Sequence, residues 1–393
     1  MIAETTVDNS VAIVATMDTK QVEASFVADI VRGAGRSVLF VDVGTSKDGR
    51  FRSNDPAVLL AGIAREARKS VNGLFETGKV SAVIGIGGGK GSGVFGEVVA
   101  DLPYGFPKLL VSSARPALLA ELAGKLDVLL YPTLVDLFGV NGFTSRVLEN
   151  AARAIAAMHY LPKAKSRRKI VAITSFGVTT PAANACVRLL GDKKMEAIVF
   201  PANGAGGRKM ESLVDAGEFD AVIDLTTTEL ADELLGGTAS AGPDRLTAAG
   251  RCGIPQLIAP GAVDMVNFGV LSSVPPEFAE RRLYAHTPYT TLLRTTPEET
   301  NAIGRLTAQK LSASRGPAQV LWPSKGVSDY DREGGPFHDP EANRAWLSGL
   351  RAALPGNIPV RELNCHINDP EFASAAVEWV LDHIDTETAD ENV

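Results

Sequence analysis

Short apolar runs alternate with segments of helical periodicity along almost the whole chain. The first run, Val11-Ala12-Ile13-Val14-Ala15, is unbroken and rich in β-branched residues, and a helical pattern follows it after Asp18 and Thr19. Unbroken apolar runs of this length are typical of strands that are buried on both faces. Their alternation with helices predicts parallel sheets that carry helices on both faces.

The alternation falls into two series, separated by the basic run 163–169, which we interpret as a solvated linker rather than an anion site. In the first series, a helix at 141–160 is followed by Pro162, which cannot continue a helical ladder. The second series opens at 170–174 and repeats the opening pattern of the first. The sequence predicts an α/β fold with two Rossmann-like doubly wound domains, residues 1–163 and 164–393, with parallel sheets and a cleft between them. The remaining predicted strands are 37–43, 80–86, 108–112, 197–200, 221–225, 256–259, 318–322 and 359–363, and the remaining predicted helices are 56–71, 91–101, 116–122, 208–215, 229–235, 243–251, 297–314, 340–353 and 370–384.

Composition excludes several classes of protein. A length of 393 residues suits two domains, and no apolar run approaches the roughly 18 residues that a membrane span needs. The N-terminus lacks the basic start and apolar stretch of a secretory signal, so we expect a cytoplasmic protein. A net charge of −7 disfavours nucleic acid as the main partner. The three cysteines form no C-x-x-C pair, and we expect them to be buried thiols.

The strongest motif is a glycine-rich loop, Gly85-Ile86-Gly87-Gly88-Gly89-Lys90-Gly91-Ser92-Gly93, between a predicted strand and helix. Free N–H groups at such a helix start attract phosphate. It is not a Walker A loop, which would need glycine at Ile84 and a hydroxyl at Gly91. A tight turn without a ligand is the structural alternative. We favour phosphate binding, with Lys90 as a charge partner.

Three loops of the second series are further candidates. The loop Asn203-Gly204-Ala205-Gly206-Gly207-Arg208-Lys209 places two cations where they oppose the helix dipole, which indicates either an anionic ligand or solvated surface charges. The loop that leads to Glu229 contains the capping-box pattern Thr226-x-x-Glu229. Asp264 and Asn267 lie in segment 260–269, which we read as a strand-end loop that binds a ligand or its own backbone.

The histidines do not form a metal-binding pattern. His338 and His366 each precede an aspartate-proline helix start, where an imidazole is biased toward its neutral form. Such a group suits either a general base or a residue that stabilises the helix start. His366 is the better catalytic candidate because it closely follows a predicted strand. Nucleophilic hydrolysis has no support, since G-x-S-x-G is absent.

A set of motifs along nearly the whole chain also resembles those of one known family. They are Ala15-Thr16-Met17-Asp18-Thr19-Lys20, Asp42-Val43-Gly44, Phe176-Gly177-Val178-Thr179-Thr180-Pro181, 224–235, Ser240-Ala241-Gly242-Pro243, 260–269, Thr296-Pro297-Glu298-Glu299, 337–340 and 366–370. The family is that of the ATP-binding N-terminal domain of the tomato mosaic virus resistance protein, whose bacterial members are largely uncharacterised. The resemblance implies two Rossmann-like domains, self-association into a homo-oligomer, and ATP binding without a Walker loop.

Two loops of the first series depart from the family pattern. Family members usually have a Gly-Gly-Ser-Gly-Gly-Thr-like loop where this chain has Gly87-Gly88-Gly89-Lys90-Gly91-Ser92. They have a Ser-Thr-Met-Ala-Ser-Gly-like loop where it has Ser112-Ser113-Ala114-Arg115-Pro116-Ala117. The changes add two cations and a proline, which implies either altered phosphate contacts or a different anionic ligand.

The leading hypothesis is therefore a protein that binds ATP or a related nucleotide, or another anionic small molecule, with Mg²⁺ as a companion of the phosphates and Asp18 as its neighbour. The alternative is an enzyme that acts on a small acidic or phosphorylated metabolite in the interdomain cleft, and a third reading is a module that grips another protein. The candidate cofactor residues are Thr16, Asp18, Thr19, Gly87, Gly88, Gly89, Lys90, Gly91, Ser92, Ser112 and Arg115; the catalytic candidates are Glu229, Asp264 and His366; the substrate-binding candidates are Asn203, Gly206, Gly207, Arg208, Thr227, Thr228 and Asn267.

Overall fold

The structure, a computed structural model, describes residues 10–45, 55–161 and 168–384. The expectations about the N-terminus, most of the basic run 163–169 and the domain boundary lie outside these residues. The chain divides into two compact units, Met1–Ala164 and Lys165–Val393, and each is described by itself.

The first unit contains a five-stranded parallel sheet in the order β2-β1-β3-β4-β5. Successive residues of β1 point to opposite faces, as the period of a strand requires. Val11 and Ile13 pack against α1 and α5, whereas Ala12 and Val14 pack against the core formed with α2 and α3. The elements are β1 Ser10–Ala15, α1 Met17–Gly33, β2 Val38–Asp42, α2 Pro56–Glu76, β3 Val80–Gly87, α3 Gly89–Val98, β4 Lys108–Ser112, α4 Pro116–Lys125, β5 Leu129–Pro132 and α5 Thr144–Ala157.

The second unit contains a six-stranded parallel sheet in the order β14-β13-β9-β8-β6-β7 and a small antiparallel sheet in the order β10-β12-β11. Its elements are β6 Ile170–Ser175, α6 Thr180–Asp192, β7 Glu196–Pro201, α7 Ala205–Asp215, β8 Ala221–Thr226, α8 Thr228–Leu235, α9 Ala248–Cys252, β9 Gln256–Gly261, β10 Met265–Phe268, β11 Leu283–Thr287, β12 Thr290–Arg294, α10 Pro297–Leu311, β13 Ala318–Pro323, α11 Pro340–Ala353, β14 Val360–Leu363 and α12 Pro370–His383.

The predicted fold class of two parallel, helix-covered sheets is confirmed. Several local predictions are wrong. The segment 260–269 is not only a loop, because residues 265–268 form β10 of the antiparallel sheet. The helix predicted at 243–251 is reduced to α9, and β5 was not predicted. Cys186 and Cys365 are buried as expected, but Cys252 is exposed at the end of α9.

Within the part of the chain that the structure describes, no helix combines the length and the apolar character that a membrane crossing requires.

Both parallel sheets reverse their strand order beside the first strand. The first unit has the order 2-1-3-4-5, and the second has 2-1-3-4-5-6 when its parallel strands are counted along the chain. In open α/β sheets, the crevice at the carboxyl ends of the two strands that flank such a switch point is the usual ligand site. In the first unit these strands are β1 and β3, and in the second they are β6 and β8. The two crevices differ in what fills them.

Candidate functional site

The first switch point contains an open helix start. Helix α3 begins at Gly89, two residues earlier than predicted, and Gly88 is its N-cap. Gly91 and Ser92 therefore lie in its first turn, and the formal G-x-G-x-x-G match at 91–96 is helical as predicted. The N–H groups that precede the first intrahelical bond point out of the helix end. The first turn contains no acidic side chain that could cap them.

The glycines at this helix start have two different roles. A Cβ on Gly87 would lie 3.1 Å from the Cα of Gly91, so Gly87 allows the chain to turn tightly. A Cβ on Gly89 would meet nothing within 4 Å, and one on Gly88 would meet only the Ser113 hydroxyl at 3.6 Å. With respect to the residues that the structure describes, the space in front of the helix start is therefore open, as a phosphate group requires.

The two cations that depart from the family pattern flank this opening. Lys90 lies in the first turn of α3 and Arg115 is the N-cap of α4, and both side chains are exposed. Neither forms an ion pair with any residue that the structure describes. Their charge is thus available to an anion at the carboxyl edge of the sheet.

The hydroxyls of Ser92 and Ser112 lie beneath this surface. Both residues are buried, and their Oγ atoms are 2.6 Å apart. The Ser112 Oγ also accepts a hydrogen bond from the Ala114 N–H at 2.9 Å. These serines join the ends of β3 and β4 and position the loops rather than face the opening.

The turn after β1 completes the opening. The Thr16 and Thr19 hydroxyls are 2.9 Å apart, and the Thr16 methyl lies 3.9 Å from the position that a Cβ on Gly91 would take. Thr16, Gly87–Ser92 and Ser112 thus lie close together at one edge of the sheet. Asp18 accepts a hydrogen bond from the Thr45 N–H at 3.1 Å.

Asp42 is a residue that we did not assign to the site from sequence. It ends β2 beside the turn after β1, and its Oδ1 accepts hydrogen bonds from the N–H groups of Met17 at 3.0 Å and Gly44 at 2.8 Å. A Cβ on Gly44 would lie 2.9 Å from the Asp18 Oδ1 and 3.0 Å from the Asp42 Oδ1, so the two carboxylates face the same point. The signal available in the sequence was an acidic residue at a strand end.

In the second unit, an internal carboxylate occupies the glycine loop that follows the edge strand β7. The Glu229 Oε1 accepts hydrogen bonds from the N–H groups of Gly204 at 2.7 Å and Gly207 at 3.2 Å. A Cβ on Gly207 would collide with this carboxylate, so the glycine permits its close approach. The Gly206 N–H donates to Asn203 at 3.0 Å, and Arg208 donates to the Ser240 carbonyl at 2.7 Å. The N–H groups of this loop, where the sequence left an anionic ligand as one alternative, are thus engaged by the protein itself.

Glu229 belongs to a buried ion cluster that the sequence did not reveal. Arg245 donates to Glu229 at 2.5 Å, to both oxygens of Asp224 at 2.5 and 2.6 Å, and to Glu211 at 3.2 Å. All four residues are buried. Burial acts to lower the pKa of Arg245, but the combined attraction of these carboxylates raises it well above its usual value. Burial raises the pKa of Glu211. The capping box predicted for Thr226 and Glu229 is absent because Glu229 serves this cluster.

Threonines fill the second switch point. The Thr179 and Thr226 hydroxyls are 2.7 Å apart, and the hydroxyls of Thr227 and Thr228 donate to the carbonyls of Ala259 and Met265. Thr226, Thr227 and Thr228 are fully buried. No open surface comparable to the start of α3 remains at these side chains.

Asp264 and His366 are linked through Ser328. The Ser328 Oγ donates to the Asp264 Oδ2 at 2.7 Å, and the His366 Nε2 lies 2.9 Å from the Ser328 carbonyl. The His366 Nδ1 accepts the Asn368 N–H at 3.1 Å, so the Nε2 carries the proton of a neutral ring. Burial lowers the pKa of His366, which favours the neutral ring. Because backbone groups engage both ring nitrogens, His366 serves to position the loops and is not a free base.

Asn267 has a comparable internal role. Its Nδ2 donates to Asp232 at 2.9 Å, and its backbone N–H donates to the same carboxylate at 3.2 Å. Burial raises the pKa of Asp232 to about 7. Asn267 therefore ties β10 to α8, and only its Oδ1 lacks a partner among the residues described.

Asp264 is expected to make stability depend on pH. It is fully buried, its Oδ1 has no partner in the described chain, and burial together with nearby Asp331 raises its pKa to about 7, although Arg294 opposes this shift. The folded protein thus retains a proton that the unfolded chain loses above its ordinary pKa of 3.8. This contribution to stability is complete at low pH and is lost as the pH rises toward 7.

We expect Asp264→Asn, which mimics the protonated acid, to remove this dependence. From pH 5 to 7, the free energy of unfolding of the wild type should fall by about 1.4 kcal/mol per pH unit relative to the variant. Urea denaturation at several pH values measures the difference, with Asp29→Asn on the exposed face of α1 as the control. A difference between wild type and Asp264→Asn that is constant with pH would contradict this assignment.

The fold and the site define a protein of two doubly wound α/β domains, the first of which has an open, glycine-lined helix start at its switch point. The chain belongs to the uncharacterised protein family UPF0261: residues 9–60 and 46–164 match its N-terminal domain, and residues 168–384 match its C-terminal domain. This membership confirms the resemblance found in the motifs.

Curated relatives agree with this membership. A UPF0261 protein of Clostridium tetani is 34% identical over 95% of this chain and 98% of its own length. The ToMV resistance protein Tm-1 of Solanum lycopersicum is 37% identical over 77% of this chain and 41% of its own length. Among solved structures, a putative UDP-N-acetylglucosamine 2-epimerase from Listeria monocytogenes covers 64% of this chain and 79% of its own, with 11% identity and a TM-score of 0.23, a likeness that carries no argument.

Proposed function

We propose that the first unit binds ATP or a related nucleoside triphosphate, with the phosphates at the start of α3. The observation that carries this proposal is the open space in front of Gly88 and Gly89, where a side chain would meet almost nothing. Backbone N–H groups at a helix start bind phosphate, and the helix dipole favours its negative charge. Lys90 and Arg115 add positive charge on either side.

The contrast between the two units supports placing the nucleotide in the first. In the second unit, the N–H groups of the glycine loop before α7 already donate to Glu229, and threonines fill the switch point. An incoming phosphate would have to displace a buried carboxylate that also pairs with Arg245. At the start of α3, no side chain in the described part of the chain would have to be displaced.

A divalent cation fits this arrangement only together with the phosphates. Among the described residues there is no group of three or more His, Cys, Asp or Glu side chains placed to hold a metal. Mg²⁺ commonly uses one or two carboxylates and completes its shell with phosphate oxygens and water. Asp18, with Asp42 beside it, is the carboxylate that we propose for this role.

Isothermal titration of the 393-residue protein with ATP, with and without Mg²⁺, tests the proposal directly. We expect saturable binding that strengthens when Mg²⁺ is present. Assay of the same mixture for released phosphate then distinguishes a nucleotide-responsive binding protein from an ATPase. Absence of saturable binding under both conditions would overturn the proposal. The proposed function includes a cytoplasmic location, where ATP is abundant.

We also propose that the protein self-associates through the segment between β5 and α5. Leu134, Phe138 and Phe143 are 104%, 86% and 74% exposed, and Val135 beside them is also exposed. Large apolar side chains grouped in one surface segment are typical of an interface. A second copy of the chain presents the same apolar segment and can cover it.

The double substitution Leu134→Glu and Phe138→Glu is therefore expected to shift the protein from oligomer to monomer. Charges buried without partners at an interface oppose association. Light scattering coupled to gel filtration measures the molar mass, and Val58→Glu, an exposed apolar position on α2, is the matched control. The proposal fails if the wild type is monomeric, or if the double variant retains the mass of the wild type.

A further inference from the structure

We infer that Asp42 recognises the ribose hydroxyls of the bound nucleotide, an inference that rests on the proposed nucleotide site. Asp42 ends β2, the strand next to β1 on the side opposite β3. The Asp42 carboxylate and the start of α3 therefore lie at the same edge of one parallel sheet. The turn after β1, with Thr16 and Asp18, lies between them.

The spacing suits a nucleoside triphosphate. Adjacent strands are about 4.8 Å apart, so the ends of β2 and β3 are separated by about 10 Å. A ligand with its phosphates at Gly88 and Gly89 would cross the turn after β1 and bring its sugar to the end of β2. The phosphates and the sugar of one nucleotide can thus contact both strand ends at once.

The hydrogen bonds of Asp42 leave one oxygen for a ligand. The Met17 and Gly44 N–H groups both donate to the Oδ1, which fixes the orientation of the carboxylate. The Oδ2 has no hydrogen-bond partner among the residues described, and the side chain is exposed. A carboxylate oxygen only accepts hydrogen bonds, so it suits the hydroxyl donors of a ribose and repels phosphate. An acidic residue at this strand end is also how many α/β nucleotide sites hold a ribose.

Loss of the Asp42 charge should weaken ATP binding, whereas charge repulsion alone predicts that it strengthens binding. Asp42→Asn retains the acceptor for the two backbone N–H groups but removes a negative charge near a polyanion. If Asp42 acted only through its charge, both ATP and inorganic tripolyphosphate would bind the variant more tightly. If Asp42 holds the ribose, ATP binding should weaken about tenfold, as for the loss of a hydrogen bond to a charged group. Tripolyphosphate should bind the variant as well as, or better than, it binds the wild type.

Titrations of the wild type and of Asp42→Asn with ATP, 2′-deoxy-ATP, 3′-deoxy-ATP and tripolyphosphate test the inference. We expect the wild type to prefer ATP over at least one deoxy analogue by about tenfold, and the variant to lose that preference. Asp29→Asn, which removes an exposed carboxylate of α1, is the control for charge and should retain the preference.

Two outcomes would overturn the inference. One is equal affinity of the wild type for ATP and both deoxy analogues, which requires no variant and so does not depend on the folding of Asp42→Asn. The other is an Asp42→Asn variant that binds ATP as tightly as the wild type does. If the wild type binds tripolyphosphate but does not discriminate between sugars, the phosphate site stands and only the ribose contact fails. If it binds neither ATP nor tripolyphosphate, the proposed function fails as well.

Discussion

Arg245→Met should destabilise the second unit by at least about 3–5 kcal/mol, the usual cost of breaking a buried ion pair. The substitution preserves much of the side-chain volume but leaves Asp224, Glu229 and Glu211 buried without their shared cation. A domain has only about 5–15 kcal/mol of net stability, so a large fraction of it would be lost. Urea denaturation, or the soluble yield if the variant does not fold, measures the effect.

The pH dependence of this loss identifies its cause. If uncompensated carboxylates destabilise Arg245→Met, their protonation should restore part of its stability. The difference from the wild type should then be smaller at pH 5 than at pH 8. A loss caused by altered packing alone would be independent of pH.

Arg251→Ala supplies the matched control for Arg245→Met. Arg251 also pairs with a carboxylate, Asp215, at 2.7 Å, but both side chains are close to half exposed. An exposed pair of this kind contributes about 0–1 kcal/mol. Equal losses in Arg251→Ala and Arg245→Met would contradict the special role of the buried cluster.

The same cluster explains why the sequence predicted the parallel sheets but not the segment before α9. Apolar strands such as β1 and β6 are recognised from local composition, because burial on both faces demands unbroken apolar runs. The local sequence around Arg245 and Leu246 likewise predicted a helix. In the structure Leu246 has a φ of 70°, and the Arg245 side chain enters the core to meet carboxylates 16 to 34 residues away. Tertiary electrostatics overrode local helix propensity there.

The small antiparallel sheet was missed for a related reason. Strand β11 is mostly exposed and includes His286 and Thr287, so it lacks the apolar run that identifies a core strand. Strand β10 is buried, but it is only four residues long and follows β9 after a short turn. Such short strands are defined by their pairing with β12, which a local pattern does not reveal.

For the candidate sites, the sequence located the helix starts but not the groups that bind there. Two glycine loops before α3 and α7 looked alike, since both follow a strand and contain a cation. Only the structure distinguishes them, because the ligand of the second is Glu229, which is 25 residues from Gly204. His366 and Asp264 were likewise recognised as neighbours of strand ends, but their link through Ser328 depends on contacts between separate loops.

Gly88→Asp should abolish most nucleotide binding at α3 while leaving the protein at least as stable as the wild type. Gly88 has a φ of −84°, which any residue adopts, and a Cβ there makes only an ordinary contact. Aspartate is a favoured N-cap, so its carboxylate should accept hydrogen bonds from the first turn of α3. Those are the N–H groups proposed to bind phosphate. The introduced charge would also repel the ligand, and we expect ATP affinity to fall by at least about 100-fold.

Gly88→Asp should lower the ATP affinity without lowering the stability of the protein. This combination separates loss of the site from loss of the fold. Gly88→Ala adds the Cβ without a capping group and should bind ATP within a few-fold of the wild type. Gly88→Asn caps the helix without a charge, so it should lie between the two and show how much of the loss is electrostatic. Titration calorimetry gives the affinities, and thermal unfolding gives the stabilities. If Gly88→Asp binds ATP as tightly as the wild type does, the phosphates do not lie at the start of α3, and the nucleotide site must be sought elsewhere in the chain.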